Sequence, residues 1–138
     1  MAIDFDDLMQ LWTQPLEGTA ATQAFARLYA EQLLVNGSAM TLEALAQRAR
    51  ALQAVYADLS GTLLARADTE TQTTIVFRMR GRHVGPLTTP LGVLPPTGRI
   101  VERQVIDLLV LRDRRIAEIW MTADELGALT SIGALRLA

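Results

Sequence analysis

The stretch Arg99-Ile100-Val101-Glu102-Arg103-Gln104-Val105-Ile106-Asp107-Leu108-Leu109-Val110-Leu111-Arg112, followed by Asp113-Arg114 and then Ile116-Ala117-Glu118-Ile119-Trp120-Met121-Thr122, decides the fold. It predicts two strands, Arg99–Arg112 and Ile116–Thr122, closed by a tight polar turn and followed by a short helix from Asp124. Upstream, Thr73–His83 reads as a long strand. Its alternation sets Ile75, Phe77, Met79 and His83 on one face and Arg78, Arg80 and Arg82 on the other, unless a bulge intervenes at Gly81. Thr62–Arg66 is a further strand candidate. Residues 85–98 hold four of the five prolines and read as a loop.

Before Thr62 the pattern is mainly helical. Asp4 caps a first helix, with Asp6 and Asp7 against its positive dipole end; Phe5, Leu8, Leu11 and Trp12 share a face, and Pro15 marks the exit. A second helix from about Thr19 groups Phe25, Leu28 and Tyr29. Leu33-Leu34-Val35 then forms a brief strand ending in an Asn36-Gly37 turn. Thr41 caps a third helix whose inward stripe is Leu42, Leu45, Ala49, Leu52 and Tyr56, with its end at Ser60-Gly61. Helices first and an antiparallel meander afterwards predict an α+β fold, with helices packed on one side of a curved sheet. The length, 138 residues, suits one domain over 1–138.

Composition removes many functions. All 13 basic residues are arginine, so neither a lysine Schiff base nor a lysine-centred phosphate loop is available. There is one histidine and no cysteine, so no metal site, thiolate nucleophile or disulfide framework is expected. A net charge of −2 provides no general attraction to nucleic acid. No apolar run approaches the ~18 residues of a membrane span. The acidic N-terminus is unlike a secretory leader, so the chain is expected to start near Met1 and to be cytoplasmic.

Several residues are candidates for chemistry. Asp124, at the start of the last helix, reads as an N-cap, as a carboxylate at the end of the sheet, or as both. His83 is either a surface or loop-anchoring histidine or a hydrogen-bond donor to an enolate oxygen, paired with Asp124. Asp107 lies between apolar neighbours and must be paired, protonated or beside a cavity; Arg78 and Arg80 are its expected partners. Trp120, Phe77, Met79, Tyr56, Trp12 and Arg78 are candidate substrate contacts, although aromatic and Met side chains more often simply pack.

The ordered set Gly81-Arg82-His83-Val84-Gly85, Leu94-Pro95-Pro96-Thr97-Gly98-Arg99-Ile100-Val101, Ile106-Asp107, Asp113 to Trp120, Asp124-Glu125-Leu126-Gly127 and Ile132-Gly133 resembles the C-terminal half of SnoaL-like polyketide cyclases. These belong to the nuclear transport factor 2-like, cystatin-like superfamily. The resemblance runs from about Leu28 to Leu135 and is weak before Thr41. Two departures are a longer segment between His83 and Pro95, and Arg114-Arg115 where an Asp-Gly turn is common. The resemblance implies a cone-shaped α+β barrel around an apolar pocket and a cofactor-free cyclase or isomerase of a hydrophobic, polyketide-like carbonyl compound. It also implies that Asp124 is the general base, with His83 across the pocket. An intramolecular aldol-type or related ring closure would follow. The alternatives are a non-catalytic ligand-binding or dimerising module, and an epoxide-hydrolase-like site built from Asp107, Arg80 and Asp124. A homodimer is expected on two grounds: the resemblance implies pairing through the outer sheet face, and apolar residues occupy both faces of the strand around Asp107.

Overall fold

Residues 3–138 are described by the structure, a computed structural model, so the expected start at Met1 lies outside the described residues. Helix α1 (Phe5–Thr13) begins where the Asp4 side chain accepts from the Asp7 N–H at 3.0 Å, and it buries Phe5, Leu8, Met9 and Leu11. Helix α2 (Gly18–Ala26) follows. It stops short of Tyr29, which opens strand β1 (Tyr29–Val35) instead of extending the helical face. Asn36 and Gly37, both at positive φ (49° and 86°), turn the chain into β2 (Ser38–Thr41). This is the mirror-image turn that suits the right-handed twist of a hairpin.

Helix α3 (Leu42–Val55) is capped by the Thr41 hydroxyl, which accepts from the Ala44 N–H at 3.1 Å. It ends at Val55, five residues before the expected Ser60-Gly61 stop. Strand β3 (Tyr56–Asp68) starts immediately and pairs along its length with β4 (Gln72–His83). The ladder outweighs the helical stripe that would include Tyr56. Asp58, at φ 55°, sits in the irregularity between Ala57 and Ser60 that lets the strand bend. The proline-rich segment carries a small hairpin, β5 (Leu87–Thr89) and β6 (Gly92–Leu94), where a plain loop was expected. Strands β7 (Ile100–Arg112) and β8 (Arg115–Ala123) join through Asp113 and Arg114, both at positive φ, and α4 (Glu125–Ser131) closes the order.

The main sheet runs β2-β1-β8-β7-β4-β3 and is open, not closed into a barrel. It is mixed where an antiparallel sheet was expected, because β1 lies parallel to β8. No bulge occurs at Gly81: β4 pairs with β7 in continuous register from Gln72↔Val110 to Arg82↔Ile100. The two-residue period therefore holds. Thr73, Ile75, Phe77, Met79 and His83 are buried, while Arg78, Arg80 and Arg82 are exposed. The same period on β7 points Val105, Asp107 and Leu109 toward the helices and Ile106 away. Phe25, Leu8, Leu45, Ile75, Leu109 and Ile116 fill the core between the helices and this inner face. Among the described residues, no helix is long and apolar enough to cross a membrane.

Candidate active site

The helices do not fill the concave side of the sheet completely. They leave a cavity of about 250 Å³ between α1, α3 and the inner faces of β1, β4, β7 and β8. Helix α1 contributes Leu8, Met9 and Trp12; α3 contributes Leu45, Leu52 and, on the exposed side, Arg48. Phe77 and Met79 of β4, Ile119 and Met121 of β8, and Val35 of β1 complete an apolar wall.

Asp107 projects into this cavity, paired in the sheet with Ile75 and Met121. Its Oδ1 is buried, with no hydrogen-bond partner among the described residues. Burial pushes the carboxyl up to about 7, because the apolar surroundings disfavour its charged form. The expected pairing with Arg78 or Arg80 does not occur. Both arginines lie on the opposite face of the sheet, as strand alternation requires, and Arg80 instead reaches Glu102 at 3.3 Å.

Asp124 and His83 do not meet across the cavity. Asp124 follows β8, whose Ile119, Met121 and Ala123 already supply the inward contacts, and its exposed carboxylate turns back onto α4. Its Oδ1 accepts from the Gly127 N–H at 2.8 Å, the geometry of an N-cap. It borders a shallow outer groove with Arg78 and Glu102. Asp124→Ala should therefore lower stability by about 1 kcal/mol, read as a shifted urea midpoint at unchanged slope.

His83 is fully buried but outside the cavity. Its Nδ1 accepts from the Thr97 N–H at 3.2 Å and lies 3.0 Å from the Thr97 hydroxyl, and its ring packs 6.0 Å from that of Tyr56. Those bonds tie the segment after β6 to the end of β4. The histidine is a loop anchor in this arrangement, and no acid–base pair with Asp124 forms. The Asp107–Arg80–Asp124 set does not converge either, because its members occupy the inner face, the outer face and a helix cap.

Of the expected substrate contacts, Asp107, Phe77, Met79 and Trp12 line the cavity. Trp120 does not: it is 46 % exposed on the outer face, its indole N–H donating to Glu118 at 2.8 Å. Arg78 is likewise outside. Tyr56 is buried beside the cavity, where its hydroxyl accepts from Arg103 Nη2 at 2.8 Å. Arg103 also pairs with Glu125 at 2.8 Å and stands 5.2 Å from the Tyr56 ring centroid. This places a neutralised ion pair at the cavity edge. Arg103 and Tyr29 are among the lining residues absent from the candidates that the sequence suggests. Arg103 could have been found from its period-two spacing to Val105 and Asp107. Tyr29 was hidden by its apparent place on a helix.

A helix-covered, strongly curved sheet around an apolar pocket with one buried carboxyl defines a cone fold of the nuclear transport factor 2-like type. The model of the SnoaL-like polyketide cyclase family matches residues 7–132, and the chain belongs to that family. TsrD from Streptomyces laurentii is similar in structure, with TM-score 0.78 and 22% identity over 94% of this chain and 92% of that one. IdmH from Streptomyces antibioticus, described as a candidate polyketide cyclase, has TM-score 0.74 and 20% identity over 93% and 94% of the two chains. A protein of Acidithiobacillus ferrooxidans with the same description has TM-score 0.73 and 14% identity over 90% and 87%. No curated protein matches the chain.

Proposed function

We propose that the protein is a cofactor-independent cyclase or isomerase of a small hydrophobic carbonyl compound, and that Asp107, not Asp124, is its general base. The observation carrying this reading is the Asp107 carboxyl, unpartnered inside an apolar cavity and shifted to about 7. A base titrating near working pH combines a useful fraction of carboxylate with enough basicity to take a carbon-bound proton. Membership in a cyclase family supports the reaction class. In the step envisaged, Asp107 removes a proton α to a carbonyl and the C–H electron pair moves into an enolate. The enolate carbon then attacks a second carbonyl of the same molecule, and Asp107 returns its proton to the new alkoxide. The cavity walls hold the chain folded for that attack.

Deuterium exchange into the α position of 1-tetralone in D₂O tests the base. The wild type should accelerate exchange, Asp124→Asn should stay within about threefold of it, and Asp107→Asn should lose about 10²–10⁴-fold. Equal exchange by wild type and Asp107→Asn would sink the assignment. Tight binding of 1-tetralone without any acceleration would instead make the protein a ligand-binding module.

The same reading includes a cytoplasmic homodimer formed through the outer sheet face. Ile106 and Trp120 are 44 % and 46 % exposed there, and Leu34 on β1 is 41 % exposed. An apolar outer face of this kind favours a covering partner. Sedimentation should give a dimer at micromolar concentration and a monomer for Ile106→Arg; a monomeric wild type removes the proposal.

A further inference from the structure

Besides Asp107, Arg48 and the Arg103–Glu125 pair, the cavity is lined by a phenol. Tyr29 is 2 % exposed at the start of β1 and lines the same cavity as Asp107. Its hydroxyl oxygen accepts the indole N–H of Trp12 at 2.8 Å. An indole N–H can only donate, so this bond uses a lone pair of the Tyr29 oxygen and leaves the hydroxyl hydrogen free to point elsewhere. Among the described residues no acceptor takes that hydrogen. Burial holds the phenol well above the usual tyrosine range; the Trp12 bond opposes this shift and the Asp107 charge adds to it. Tyr29 therefore stays protonated while Asp107 changes charge. Asp107 can then accept a proton, while Tyr29 can only lend a hydrogen bond.

We infer that Tyr29 donates a hydrogen bond to the substrate's carbonyl oxygen and to the enolate that replaces it, with Trp12 positioning the hydroxyl. The inference rests on the cyclase reading and narrows its substrate class to apolar ketones whose enolate oxygen can reach β1 while the α carbon faces β7. As the C–H bond breaks toward Asp107, negative charge collects on that oxygen. A donor already aligned in a water-poor cavity stabilises the charged state more than the neutral ketone. Accepting from Trp12 polarises the Tyr29 O–H and strengthens its donation.

The test uses the Asp107→Asn protein, whose neutral amide stands in for the protonated acid present once the enolate has formed. 2-Naphtholate serves as the enolate mimic, and naphthalene, of similar shape without the oxygen, controls for packing. Adding Tyr29→Phe should weaken 2-naphtholate by about 10–100-fold, the range for a hydrogen bond to a charged group, and change naphthalene affinity less than about twofold. Adding Trp12→Phe should weaken 2-naphtholate selectively but by less. It should also flatten the dependence of affinity on acidity across a series of substituted 2-naphthols, which loss of packing would not do. Equal losses for 2-naphtholate and naphthalene, no loss for 2-naphtholate, or no 2-naphtholate binding would each overturn the inference. Since no proton is abstracted in this assay, its failure is separate from failure of Asp107 in the exchange experiment.

Discussion

Asp107→Asn should inactivate the protein while making it more stable at alkaline pH, a combination that an ordinary core substitution does not produce. Loss of the proposed base should remove about 10²–10⁴-fold from the exchange rate, and in the wild type that rate should climb with pH to a plateau, half-maximal near 7. The stability effect follows from linkage. Folding raises the Asp107 carboxyl from its ordinary value of 3.8 to about 7, so across that interval the folded chain binds more protons than the unfolded one. Its contribution is fully present below about pH 4 and is lost as pH rises through about 7. The full shift corresponds to at most roughly 4 kcal/mol. Asparagine does not ionise, so wild type and variant should unfold alike near pH 4. The variant should be the more stable by pH 8, with its gain reduced by the amide's own need for partners. Urea titrations at both pH values measure the difference. A variant less stable than wild type at pH 8 would mean that the carboxylate is well solvated or paired, contrary to the cavity geometry.

Gly85→Ala is expected to cost about 2–4 kcal/mol and to lower the melting temperature by about 10 °C, the largest structural penalty anticipated for so small a change. A Cβ at this position would run into the Ala54 carbonyl oxygen and crowd Val55 Cα at 3.2 Å. Those are backbone atoms at the junction of α3 and β3, and they cannot swing aside as a side chain can. Moving them would also break the bonds that Val84 and Gly85 N–H make to the Val55 carbonyl at 2.9 and 3.0 Å. Gly81 is also constrained, since a Cβ there would lie 2.8 Å from Tyr56 Cβ, the stem of a buried side chain. The glycines on either side of His83 are therefore explained by close packing around a buried anchor. Val84→Ala, at a position 44 % exposed between these features, should shift stability by no more than about 0.5 kcal/mol. A Gly85→Ala protein that melts within about 2 °C of wild type would show that the junction yields.

Much of this site is legible in the order of residues alone. The period of two on β4 and β7 places Phe77 and Met79 together and turns Asp107 to the side of Val105 and Leu109. A carboxylate in an apolar strand signals a pair, a bound proton or a cavity, and the structure shows the cavity. Asp124 is where the sequence leaves two roles open, since aspartate suits both a helix N-terminus and catalysis; the structure adds the cap to Gly127. Tyr29 is where the sequence misleads, because a short apolar run satisfies helical and extended periodicity equally well.

Local rules thus account for the caps at Asp4, Thr41 and Asp124, the turns at Asn36-Gly37 and Asp113-Arg114, and the faces of the long strands. Each depends on atoms a few residues apart, which the order of the chain specifies directly. The end of α3 at Val55, the parallel seating of β1 on β8, and the meeting of Trp12, Tyr29 and Asp107 in one cavity depend on partners far apart in the chain. Ladder pairing and burial are collective: which helix covers which face is chosen by the packing of the whole core, and no segment carries that information alone.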